Sequence, residues 1–163
     1  MNRLIYTLVF CFLAQFAVGQ TQTKYDYAKQ LVKDGKYAQA ITVLQTVLEA
    51  GDAGIYPNAL YLQAFSQYKT GRRQEARQSL FKLTDRYTDW QGQNEALFLL
   101  ASVDFDWQAP EEAFETLDKI TDADWQSQII NLKKTKLGEM TIDGLSNLYA
   151  KYPSDEILGR VLL

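Results

Sequence analysis

Lys33-Asp34-Gly35-Lys36-Tyr37-Ala38-Gln39-Ala40-Ile41 decides the fold. A glycine, a tyrosine two residues later and an alanine three after that precede apolar residues at helical spacing. The pattern is that of a tight helix–helix turn opening a second helix. The phrase returns as Lys69-Thr70-Gly71-Arg72-Arg73-Gln74-Glu75-Ala76, and more loosely as Gln108-Ala109-Pro110-Glu111-Glu112-Ala113-Phe114.

Whole columns of residues keep the same spacing. Ala28, Ala64 and Ala101 stand 36 and 37 residues apart, as do Ala40, Ala76 and Ala113. Leu44, Leu80 and Leu117 form a third column, and Val47, Leu83 and Ile120 a fourth. Small residues are needed where two helices cross closely. The larger apolar columns, at three- and four-residue steps, mark the stripe each second helix must bury. The periodicity predicts helices at 21–34, 37–49, 57–70, 73–87, 93–107, 110–120, 124–136 and 141–151. Between hairpins lie the loops 50–57 and 86–92, rich in Gly, Asp and Pro, and the shorter link Thr121-Asp122-Ala123-Asp124.

These residues resemble the tetratricopeptide repeat family. Its small residue, turn glycine, tyrosine, alanine and apolar positions are matched by Ala28, Gly35, Tyr37, Ala40, Leu44 and Val47, then by Ala64, Tyr68, Gly71, Ala76, Leu80 and Leu83. The third unit keeps Leu97, Ala101, Ala113, Leu117 and Ile120, with Gln108 where glycine is usual. A fourth, more divergent unit carries Trp125, Ile129, Leu132, Leu145, Leu148 and Tyr152-Pro153, with Thr141 at the alanine place. The resemblance implies an all-α, right-handed α-solenoid of about four helix-turn-helix repeats over residues 20–153. The lengthened repeats and the Tyr-Pro ending are similar to the periplasmic branch, which includes outer-membrane assembly lipoproteins. Residues 154–163 read as the start of a further helix or of a capping one; a continuation into a longer repeat protein is the other reading.

Composition bounds the chemistry. The 163 residues are 47% hydrophobic and 23% charged, ordinary globular material. A net charge of −3 argues against a nucleic-acid binder, which presents a basic face. The chain has no histidine and one cysteine, Cys11, so a Ser-His-Asp triad and histidine metal sites are excluded. Residues 1–19 read as a signal peptide: Arg3, the apolar run Leu4–Ala14, then small Ala17-Val18-Gly19 ahead of a cleavage before Gln20. An uncleaved anchor is the alternative, although the apolar run is short of the roughly 20 residues that span a bilayer. Cleavage removes Cys11 and leaves no integral span in the mature chain. The absence of an Asn-x-Ser/Thr sequon favours a bacterial envelope, with the chain in the periplasm or at the outer membrane.

In this family the first helix of each hairpin lines a concave surface. Carried over by position, that surface comprises Tyr25, Lys29 and Lys33, then Asn58, Tyr61, Phe65, Tyr68 and Lys69, then Phe98 and Phe105, and Lys133 from the fourth unit. It implies a protein or peptide partner in the cell envelope, with lysines facing acidic groups. The same rings, Tyr68, Phe98 and Phe105 above all, would serve equally as hairpin core. Trp90 is either a surface anchor or a plug over the hairpin ends, and the cost of an exposed indole favours the plug. Asp104 and Asp106 are two apart on a helix and share no face, while Glu111 and Glu112 suit a helix N-terminus after Pro110. No enzyme site, cofactor or metal is expected. The expected function is a non-catalytic interaction scaffold; the alternative is a self-associating structural or spacer module using the Leu158–Leu163 end.

Overall fold

The computed structural model of the chain describes residues 19–163. Arg3 and Cys11, on which the leader expectation turns, lie outside the described residues. At Gly35, Gly71 and Gln108 the backbone makes the same turn, with φ of 73°, 77° and 60°. Each ends a helix with one hydrogen-bond pattern. The amides of Gly35, Gly71 and Gln108 donate to the carbonyls of Val32, Tyr68 and Phe105, and those of Lys36, Arg72 and Ala109 to Leu31, Gln67 and Asp104. This is the Schellman closure, which satisfies carbonyls the helix leaves unpaired and requires a left-handed residue. Added side-chain atoms at Gly35 or Gly71 would meet nothing within 4 Å, so those glycines serve the backbone conformation and not close packing.

Every regular element among the described residues is a helix, and none is a strand. Residues 19–33 form α1. It is followed by α2 (Tyr37–Glu49), α3 (Tyr56–Lys69), α4 (Arg73–Arg86), α5 (Gln93–Asp106) and α6 (Pro110–Leu117). A 3₁₀ turn, Ala123–Trp125, leads into α7 (Gln126–Gly138), then α8 (Ile142–Lys151) and α9 (Glu156–Leu162). Helices pack in consecutive pairs, as in a tetratricopeptide-like helical-repeat solenoid. Helix α6 stops three residues before the periodicity predicts, because Lys119 and Ile120 donate to carbonyls three residues back and tighten the last turn. Ile120 is buried all the same.

The chain divides after Trp90 into two compact units. In the first, Ala28 and Leu31 of α1, Ala40, Leu44 and Val47 of α2, and Ile55 and Ala59 at the start of α3 form one apolar cluster. Ala64 and Ala76 pair α3 with α4, and all six column alanines are 0% exposed. In the second unit one cluster joins α5 to α9, from Leu97 and Ala101 through Phe114 and Leu117 to Leu137, Leu148 and Leu158.

Thr141 is not at the alanine place. In α2, α4 and α6 that alanine is the fourth helical residue, and the fourth residue of α8 is Leu145, which is buried. Thr141 precedes α8 and caps it, its hydroxyl oxygen accepting the Gly144 amide at 3.2 Å. Helix α9 packs on α7 and α8 with Leu158 fully buried. Its N-terminus is capped by Asp155, which accepts the Ile157 and Leu158 amides at 3.1 and 2.9 Å.

Candidate functional site

Helices α1 and α3 of the first unit carry eight of the residues predicted to face a partner. Tyr25 is half-buried against the α1–α2 cluster, and burial raises its hydroxyl pKa against the opposing pull of Lys29. Lys29 is exposed, 4.9 Å from the Tyr25 ring centre and 2.7 Å from Asp26, whose bond raises the lysine pKa. Lys33 is exposed one turn on. On α3, Tyr61, Phe65 and Tyr68 are half-buried, and Lys69 is exposed with its ammonium 5.2 Å from the Phe65 ring centre. Tyr37, the first residue of α2, meets Phe65 edge-on at 5.9 Å, so the turn phrase also covers part of that ring.

Trp90 belongs to this unit and lies over α3. Its indole N–H donates to Asn58 Oδ1 at 3.2 Å, and its ring centre is 5.6 Å from that of Tyr61. Asn58 and Tyr61 are therefore engaged by the chain's own loop. Lys82 of α4 reaches back to Tyr56 at the start of α3, its ammonium donating to the hydroxyl at 2.5 Å.

The second unit uses its equivalent positions differently. Phe105 is 9% exposed and meets Phe114 edge-on, which makes it core and not surface. Helix α5 is buried almost all round, from Ala96 to Phe105, because α6 and α7 both pack on it. Lys133 is 6% exposed: its ammonium lies 2.7 Å from Asp155 and 4.2 Å from the Phe114 ring centre. It is a buried partner for the α9 cap and offers nothing to a ligand. Phe98 is half-buried under Trp125, ring centres 5.4 Å apart. A cleft of about 640 Å³ opens beside the α5–α6 and α7–α8 turns, lined by Phe105, Gln108, Lys136, Met140 and Gly144 among others. In it Lys136 lies 2.6 Å from Asp106, which raises the lysine pKa. Asp104 is turned into the interior at 1% exposed, so Asp104 and Asp106 do not converge. Glu111 pairs with Lys151.

Among the described residues no group of three or more His, Cys, Asp or Glu side chains is placed to hold a metal ion. No described helix is long and apolar enough to cross a membrane. The first unit presents the half-buried rings of Tyr61, Phe65 and Tyr68 on α3, with Lys69 exposed over Phe65. Lys36 and Arg72, which follow the turn glycines and head the second helices, are exposed as well. They stand 36 residues apart, as Lys33 and Lys69 do.

Residues 58–89 match the tetratricopeptide repeat. The match takes in most of α3, the Gly71 turn, all of α4 and the loop up to Trp90. No curated protein matches the chain. The tetratricopeptide repeat is in general a non-catalytic module that binds other proteins, so protein partners are the function class to which the matched hairpin points.

Proposed function

We propose that this chain is a non-catalytic protein–protein interaction scaffold of the bacterial cell envelope, receiving an extended peptide or a partner helix on the first-helix face of residues 19–90. One observation carries the reading. In a unit containing a tetratricopeptide hairpin, Lys33 and Lys69 recur at equivalent exposed positions, and Lys69 lies over the half-buried ring of Phe65. Half-open aromatics supply contact area at low entropic cost, and mobile cations supply orientation.

A photo-crosslinking residue at Tyr68 tests the surface, with the same residue at Phe81 as the control. Phe81 is 64% exposed on α4. In envelope-bearing cells crosslinks are expected from position 68 and not from 81; crosslinks from 81 alone would place binding on the other helix. Export is tested separately by mass spectrometry of the secreted chain, which should begin at Gln20. A chain retaining residues 1–19 would count against a cleaved leader. A self-associating spacer has less support, because Leu158 is buried and Ile157, Val161 and Leu162 pack on the same core.

A further inference from the structure

We propose that the segment bound by residues 19–90 is acidic, and that it is held by a row of cations at the hairpin turns of that unit alone. The inference rests on the binding reading above and names the partner's chemistry. The row is Lys33 and Lys36 at the first turn and Lys69 and Arg72 at the second, all exposed. Among the described residues Lys33, Lys69 and Arg72 make no ion pair, and Lys36 has only the exposed Asp34 at 3.6 Å.

Local stability does not explain the row. Lys36 and Arg72 occupy the N-cap positions of α2 and α4, and neither side chain makes a capping bond. An N-cap favours Ser, Thr, Asp or Asn, and the positive end of the helix dipole repels a cation. In the second unit Thr141 and Asp155 cap α8 and α9, while Ala109, at the place of Lys36 and Arg72, heads α6 without a capping bond. The turn accounts for the missing caps, since Lys36, Arg72 and Ala109 share ψ of 54°, 64° and 63°; what folding does not call for is the positive charge, which the third hairpin does without at Ala109.

The row ends with the unit. In the third hairpin the places of Lys69 and Arg72 hold Asp106, neutralised by Lys136, and Ala109. Residues 19–90 carry ten Lys and Arg against seven Asp and Glu, a net of +3, whereas residues 91–163 carry six against thirteen, a net of −7. A segment rich in carboxylates is drawn to the first unit and repelled by the second.

Selection of random linear peptides on the full chain tests this, followed by titration of an enriched peptide. The enriched peptides should be net negative, weaken with added salt, and shift backbone amide resonances within 19–90 only. Lys36→Asp with Arg72→Asp should weaken binding at least about tenfold while raising the urea midpoint, because each replaces a cation with an anion at the positive end of a helix. A merely structural role predicts the opposite pairing of effects. Neutral or basic peptides, shifts within 91–163, or full affinity in the double variant would overturn the inference and leave the interaction reading standing. Failure to enrich any peptide would overturn both.

Discussion

Lys133 on α7 holds Asp155 at the head of α9, Nζ to Oδ2 at 2.7 Å, with the two side chains only 8% and 17% exposed. Asp155 also caps α9 through the Ile157 and Leu158 amides. One carboxylate therefore starts the helix and fastens it to α7. Lys133→Met leaves that carboxylate without its cation and should destabilise the chain by about 3 kcal/mol. Lys133→Met with Asp155→Ser, which keeps a capping oxygen and removes the charge, should recover most of the loss. Urea unfolding of the three proteins checks both statements.

The same carboxylate gives α9 a pH dependence. Burial alone would raise the Asp155 pKa, but the Lys133 ammonium and the Leu158 and Ile157 amides outweigh it and hold the group below its ordinary value. A depressed native pKa contributes stability that is fully present above the unfolded-state value, about 3.9, and is lost as pH falls through the native one. Hydrogen exchange at the Leu158 amide should accelerate below about pH 4 relative to the α5 core. In Asp155→Asn that acid-dependent step should be missing.

Gln108 takes φ +60° in a turn where its counterparts are Gly35 and Gly71. A residue with a side chain in the left-handed region carries a steric cost that glycine does not. Gln108→Gly should raise stability by about 0.5–1 kcal/mol, the steric relief being partly offset by glycine's greater freedom when unfolded. Gly71→Ala should lower stability by about 1 kcal/mol although nothing obstructs the methyl group. Urea midpoints at unchanged slope would bear out both.

Those turns show why so much of the fold was legible. A Schellman turn demands a left-handed residue, a close crossing demands alanine, and each demand leaves a residue at fixed spacing; α2 is found at Tyr37–Glu49, as the periodicity predicts. Thr141 was misplaced because a capping threonine and a crossing alanine sit within one turn of each other, and only the backbone shows where α8 begins. The partner face was less legible. Lys133 has no local mark of burial, since its partner lies 22 residues on. Counting along the helix puts Phe105 on the partner face, yet the run Ala96–Val103, apolar apart from Ser102, already signals a helix covered on both sides.

Trp90 closes over α3 through one hydrogen bond and one ring contact, and the two are separable. Asn58→Ala removes the acceptor of the indole N–H and should cost about 1 kcal/mol. Trp90→Ala removes the ring from Tyr61 as well and should cost about 2 kcal/mol, less than the truncation of a fully buried tryptophan because Trp90 is half-buried. Equal losses from the two variants would mean that the ring contact with Tyr61 adds nothing beyond the hydrogen bond.

The six column alanines are the last point at which the repeat can be tested. Each is 0% exposed, and each lies where paired helices must approach. Ala64→Leu or Ala76→Leu forces extra methyl and methylene groups into the α3–α4 crossing and should destabilise by about 1–3 kcal/mol, the cost of overpacking a filled interior. Ala38 lies on the same helix as Ala40 but is exposed. Ala38→Leu should therefore change stability by less than about 0.5 kcal/mol. A loss at Ala38 as large as at Ala64 would mean that general intolerance of leucine, and not helix crossing, keeps these positions small.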